Sequence, residues 1–231
     1  TTDNQEYVIT WFRWANDERL LVSVRFADSR EGVDSQETRL LAVNRDGTQQ
    51  NGNLLRVSSF PSIFGKKHFP QFQDRLVGTI PGDPRHVLIA LDLERPNSPD
   101  VYKVDIYSGE RTLVQTNPGL QPGPRNVLQW IADREGRLRV GVGQFGTTVR
   151  VIYKVPESTL WRELGEYDLA KETGMLPLAF DADPALAPVR EIAVEGKPWE
   201  ARFAPDNRTV YLTLLLKNGV AVVDAQAGKV R

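Results

Sequence analysis

His68 and His86 are the chain's whole supply of imidazole, and it has no cysteine. Imidazole is the usual general base for a serine nucleophile, so these two positions bound the hydrolytic chemistry available. Such a nucleophile ordinarily sits in a Gly-x-Ser-x-Gly turn between strand and helix, and the sequence contains no such pattern. His86 opens an alternating apolar run just after a turn and is expected at a strand edge. His68 follows Lys66 and Lys67 in an aromatic stretch and is expected in a surface loop. Without cysteine, thiolate nucleophiles, disulfides and Cys-based metal sites are excluded. Gly141-Val142-Gly143-Gln144-Phe145-Gly146 spells a dinucleotide motif, but a phosphate cradle needs a helix N-terminus next. A β-branched run, Thr147-Thr148-Val149-Arg150-Val151, follows instead, so the glycines read as a hairpin turn. Asp181 and Asp183 could begin a calcium loop, yet the glycine and distal Glu of that loop are missing. Asn207-Arg208-Thr209 is a glycosylation sequon by spelling only. No catalytic residue, metal ligand set or cofactor site is expected.

Binding is a different matter. Residues 58–73 are crowded with aromatics, and Phe60, Phe64, Lys66, Lys67, His68 and Phe69 are the candidate contact residues. So many apolar groups either project as a docking surface or fold back over the chain's own core.

The elements that would position these residues are strands. Four times an apolar strand is followed by a tight polar turn and a second apolar strand. The turns begin at Asn16, Asp83, Asp133 and Asp206, a period of roughly 50–73 residues. Alternation of period two is common and helical periodicity nearly absent. The pattern predicts an all-β chain, a β-propeller of about four blades, each a four-stranded antiparallel sheet. The blades are expected at about 6–57, 74–116, 126–168 and 189–231, in a single domain over 1–231. An insert spans 58–73 and an irregular join 173–188. The first blade's strands are predicted at Tyr7–Trp14, Leu20–Phe26, Thr38–Val43 and Asn53–Val57. Val104-Asp105-Ile106-Tyr107-Ser108-Gly109 and Val223-Asp224-Ala225-Gln226-Ala227-Gly228 share one turn pattern, with Asp bonding the turn backbone and Gly supplying positive φ. The five tryptophans, Trp11, Trp14, Trp130, Trp161 and Trp199, are expected to fill the wedges between blades.

Residues from about 5 to 184 resemble the propeller of bacterial serine peptidases of the prolyl oligopeptidase family. Phe12-Arg13-Trp14-Ala15-Asn16-Asp17-Glu18-Arg19-Leu20, Arg39-Leu40-Leu41-Ala42-Val43-Asn44-Arg45-Asp46-Gly47 and Ile80-Pro81-Gly82-Asp83-Pro84-Arg85-His86 carry the resemblance. Val101-Tyr102-Lys103-Val104-Asp105 and Pro177-Leu178-Ala179-Phe180-Asp181-Ala182-Asp183-Pro184 fit it too. In that family the propeller sits over a separate α/β-hydrolase domain and limits which peptides enter. The matching motifs hold none of the family's catalytic residues. Residues 188–231 are instead similar to a surface-layer (YVTN-type) repeat of seven-bladed propellers, through Val189-Arg190-Glu191-Ile192-Ala193-Val194, Phe203-Ala204-Pro205-Asp206-Asn207 and Val220-Ala221-Val222-Val223-Asp224. Two origins are open, a natural divergent propeller or a spliced, engineered chimera.

The resemblance implies a non-catalytic propeller domain that gates and supports a serine peptidase. The alternatives are an independent or engineered scaffold for protein–protein interaction and a hydrolase with an unrecognised site. A net charge of -1 over 231 residues gives no field to gather nucleic acid or anionic lipid, so neither is expected as a partner. The apolar runs are too short for a membrane helix. The opening Thr1-Thr2-Asp3-Asn4 lacks a signal-peptide pattern and an initiator Met, which reads as a processed or excised segment. A periplasmic or secreted location follows if the peptidase resemblance holds. The expected partners are a peptide or protein, and a second copy completing a larger ring.

Overall fold

The computed structural model describes residues 6–30, 32–57, 68–119, 126–133, 135–155, 157–171, 194–195, 197–203, 209–215, 219–224 and 227–230. Every regular element among them is a strand, and the strands form four antiparallel sheets. The first sheet holds β1 (Tyr7–Trp14), β2 (Arg19–Arg30) and β3 (Val33–Asn44). The second holds β4 (Arg75–Ile80), β5 (Asp83–Leu91), β6 (Asp100–Asp105) and β7 (Arg111–Gln115). The third holds β8 (Val127–Ala132), β9 (Leu138–Phe145), β10 (Thr148–Tyr153) and β11 (Arg162–Asp168). The fourth holds β12 (Lys197–Phe203), β13 (Thr209–Leu215), β14 (Gly219–Asp224) and β15 (Lys229–Val230). Each sheet is a meander in chain order, the arrangement that short polar turns impose.

The turns form as their residues dictate. Asn16 Oδ1 accepts from the amides of Glu18 and Arg19, and Asp133 Oδ1 from those of Glu135 and Arg137. Asp105 Oδ1 accepts from Tyr107 and Ser108, and Asp224 Oδ1 from Ala227. Gly109 closes the Asp105 turn at φ +77°, and a Cβ there would lie 1.8 Å from the Leu54 carbonyl oxygen. Only glycine tolerates both the conformation and the approach. The six-residue glycine motif is a hairpin: Phe145 pairs with Thr148 across Gly146.

The first three sheets stack face to face in chain order. Leu21, Leu40 and Ala42 of the first sheet share a core with Val87, Ile89, Tyr102 and Val104 of the second. Leu88, Ala90 and Val101 point the other way and pack with Val127, Trp130, Leu138 and Ile152 of the third. Strand β5 is therefore a continuous apolar run because both its faces are covered. The first strands of these two sheets, β4 and β8, also meet. Within the third sheet Gly141 leaves room for Val127, since a Cβ would sit 2.9 Å from Val127 Cγ1. A further cluster, Val140, Val142, Val149 and Val151, lies on the third sheet's opposite face. Among the described residues the fourth sheet's cluster is Val210, Leu212 and Val223, with Val194 and Ala221 against it.

Three expectations need correction. The first sheet has three strands, and Asn53–Val57 is not a fourth. Asn51 makes an isolated bridge to Ala42, after which Leu54 and Leu55 both enter the core between sheets, at 0% and 1% exposure. A strand sends adjacent side chains to opposite faces, so burying both leucines breaks the strand. The β3 edge is instead flanked by the chain leaving the insert. Thr38 N donates to the Gln71 carbonyl at 3.0 Å, and Thr38 bridges Phe72 in parallel sense. Second, β2 and β3 run past Phe26 and Thr38 in unbroken register to the Arg30–Val33 pair. Third, Trp14 is 52% exposed rather than wedged between sheets, whereas Trp130 and Trp161 pack in the cluster between the second and third sheets.

Candidate functional site: the Asp83–His86–Lys103 cleft

An open cleft of about 580 Å³ is lined by His86, Lys103, Asp105, Glu110, Arg111 and Thr112. Its geometry follows from strand register. His86 pairs with Asp105 and Leu88 with Lys103 across β5 and β6, and Lys103 pairs with Thr112 across β6 and β7. His86, Lys103 and Thr112 thereby share one face, the face that carries Leu88.

Asp83 organises the cluster from the first position of β5. Its carboxylate bonds His86 Nδ1 at 2.8 and 2.9 Å and accepts from Lys103 Nζ at 2.6 Å. Those hydrogen bonds, from Lys103 first and then His86, pull the Asp83 carboxyl down to about 2. It is an anion at any working pH, so its contact with His86 requires a proton on Nδ1. Asp105 is held below the usual carboxylate range too. Burial pushes it up, but the amides of Ser108 and Tyr107 and the Arg85 guanidinium outweigh that.

The arrangement supplies an oriented imidazole, an ammonium and a carboxylate, two parts of a nucleophile–base–acid set. Thr112 is the hydroxyl lining the cleft, and among the described residues no hydrogen bond joins it to His86. The sequence reading placed His86 correctly on a strand but did not join it to Asp83 and Lys103. The signal was available. Pairing β5 with β6 from the Asp105 turn puts Lys103 diagonal to His86.

Of the candidate contact residues, Phe60, Phe64, Lys66 and Lys67 lie outside the described residues. His68 and Phe69 are described, and both are tied to their own chain. His68 Nε2 bonds Asp92 Oδ2 at 3.0 Å, and Asp92 also accepts from the Asn97 amide. The Phe69 ring lies 5.7 Å from the Arg30 guanidinium and 5.0 Å from that of Arg39, and its carbonyl accepts from Arg30 Nη1. Arg30 and Arg39 also grip buried Glu37. Burial pushes the Glu37 carboxyl up, but the two guanidinium hydrogen bonds and their charges bring it below its ordinary value. Asp181 and Asp183 lie outside the described residues. Among the described residues no group of His, Asp and Glu is arranged to hold a metal ion.

No family model matches the sequence, and no curated protein matches it. Among solved structures, the chain is loosely similar to a provisionally assigned 6-phosphogluconolactonase from Bacteroides uniformis, at 15% identity and a TM-score of 0.27. The match covers 97% of this chain, which spans about half (51%) of that protein. A likeness of this size carries neither fold nor function across.

Proposed function

We propose that this chain is a non-catalytic, propeller-type domain, of the kind that gates and supports the α/β-hydrolase of prolyl oligopeptidase-type serine peptidases. The observation that carries the reading is the stacking of successive meander sheets. The second sheet offers Val87 and Ile89 to the sheet before it and Leu88 and Ala90 to the sheet after it. The meeting of the first strands β4 and β8 fits blades arranged around a shared axis. The peptidase connection rests on the sequence resemblance over 5–184. In such a domain the rigid stacked sheets frame an opening, and surface loops choose what passes.

One observation favours a second reading, a hydrolase with an unrecognised site: a His86 imidazole oriented by the Asp83 carboxylate in the lining of a cleft. The two readings separate in one assay. The purified chain is offered p-nitrophenyl esters and dipeptide amides, alongside His86→Ala and His68→Ala variants. The gating reading expects no turnover above the buffer rate in any of them. Turnover that disappears in His86→Ala overturns it. The scaffold alternative is tested by the coding sequence after Arg231: a domain bearing Gly-x-Ser-x-Gly supports the peptidase role, and a stop codon supports a free-standing scaffold.

A further inference from the structure

Lys154 directly follows β10, at the seam between the third sheet and the second. Its amide donates to the Arg139 carbonyl at 2.8 Å, which carries the β9–β10 register one pair beyond Val140 and Tyr153. Opposed residues of an antiparallel pair send their side chains to the same face, so two cations are set side by side. Their face is that of Ile152, which belongs to the core shared with the second sheet.

The surroundings of the Lys154 amine suit a nucleophile. Nζ lies 4.9 Å from the centre of the Trp161 ring and donates to Gln115 Oε1, at the end of β7, at 3.2 Å. Among the described residues no carboxylate pairs with it. The Asp133 carboxylate is taken up by Arg137 Nε at 2.9 Å and Arg139 Nη1 at 3.1 Å. The Trp161 face attracts a cation. Burial, and after it the Arg139 charge, nevertheless hold the Lys154 amine below the ordinary lysine value. Lys103 is the contrast: its Nζ is bound to the Asp83 carboxylate at 2.6 Å, a contact the nitrogen must give up before it can attack.

We propose that Lys154 is an acylation site whose amine takes the acyl group of a small acyl phosphate. The neutral amine is the nucleophile, as for lysines set in an apolar seam or beside another cation. Its lone pair attacks the acyl carbon and a C–N bond forms. The C–O bond to phosphate breaks, phosphate leaves with that electron pair, and one Nζ proton passes to water. The product fits the seam better than the ammonium does. An amide is uncharged, so the repulsion with Arg139 ends, and its single N–H still donates to Gln115 Oε1. An imine formed from an aldehyde would either keep the charge or lose that N–H, which selects acyl donors over aldehydes. Phosphate departs without an acid to protonate it, and the contacts of Nζ are an indole ring and a neutral amide. Lys154 is partly exposed, so a small donor reaches it. The inference stands apart from the gating reading and from the His86 cleft.

The native chain is treated with acetyl phosphate at neutral pH, and acetylation of each lysine is followed by peptide mass spectrometry. Lys154 is expected to react several-fold faster than Lys103, Lys171 and Lys229. A lowered amine value enlarges the neutral fraction near neutrality, so the advantage is present there. It is expected to vanish as pH rises past the ordinary lysine value, about 10.4, where every amine is neutral. In the chain unfolded by guanidinium chloride the four lysines are expected to react alike. A native Lys154 that reacts no faster than Lys103 at neutral pH overturns the proposal. So does a preference that persists in the unfolded chain, because it then belongs to sequence neighbours and not to the seam. A preference that stays constant into alkaline pH also overturns it, because the neutral amine is then not its source.

Discussion

The second sheet and the first sheet are built from the same kind of sequence and end in different situations. Strand β5 reads Val87-Leu88-Ile89-Ala90-Leu91, and all five residues are buried because neighbours cover both faces. Strand β1 reads Tyr7-Val8-Ile9-Thr10-Trp11-Phe12, equally apolar, yet most of it is exposed. Strand propensity is alike in the two. What differs is whether a further sheet arrives. An apolar alternation in this chain therefore marks a face intended for a neighbour, and says nothing by itself about whether that neighbour is present.

Substitutions can break the contrast. Ile89→Ala, at the centre of the doubly covered sheet, is expected to cost about 4 kcal/mol, as deletions of fully buried aliphatic groups do. Urea denaturation measures it, and a loss below about 1 kcal/mol would mean that β5 is not the shared wall between two cores. Next is Glu37→Gln, which leaves the Arg30 and Arg39 guanidiniums without their buried anion and is expected to cost about 3 kcal/mol. The same series should include Gly109→Ala against Gly146→Ala. Both positions have positive φ, but only Gly109 faces a carbonyl within 1.8 Å of the added Cβ. Gly109→Ala is expected to cost about 3 kcal/mol and Gly146→Ala about 1 kcal/mol. Equal losses would show that the Leu54 approach is not tight.

Much of the first set of contacts could be read from residue order, and the reasons the rest could not are physical. The turn pattern of Asp105 and Asp224 is local: an Asp, its own next amides and a Gly. Nothing distant has to be known to place it, and the end of strand Gly219–Asp224 follows from it. The plug at Leu54 and Leu55 was not legible, because burying adjacent residues together depends on a gap left by two other sheets. The long β2–β3 hairpin was hidden by its polar composition beyond Phe26, where neither face is core. Trp14 looked like wedge filling because a tryptophan on a strand usually is. Its exposure depends on a neighbour outside the strand's own sequence. The cleft was half legible: His86 and Asp83 are three residues apart, but Lys103 enters only through cross-strand register.

Acid sharpens the comparison between buried and open regions. Glu37, Asp83 and Asp105 are all more acidic folded than ordinary carboxylates. As pH falls the unfolded chain takes up their protons first, so the stability they contribute is complete above roughly pH 5 and declines below it. For Asp83 the loss runs from the ordinary Asp value, near 4, down to about 2. Asp83→Asn is expected to flatten that part of the stability–pH curve and leave the curve above pH 5 almost unchanged, as denaturation midpoints at stepped pH would record. The smallest effect belongs to the open face. Phe12→Ala is expected to shift stability by no more than about 0.5 kcal/mol, against the loss at Ile89.

Amide hydrogen exchange tests the shared-wall role of the second sheet most directly. The amides of Val87–Leu91 should exchange only through global unfolding, with an opening free energy equal to that from urea denaturation. Those of β1 should open at markedly lower cost. Amides of β5 that exchange as readily as those of β1 would contradict the account.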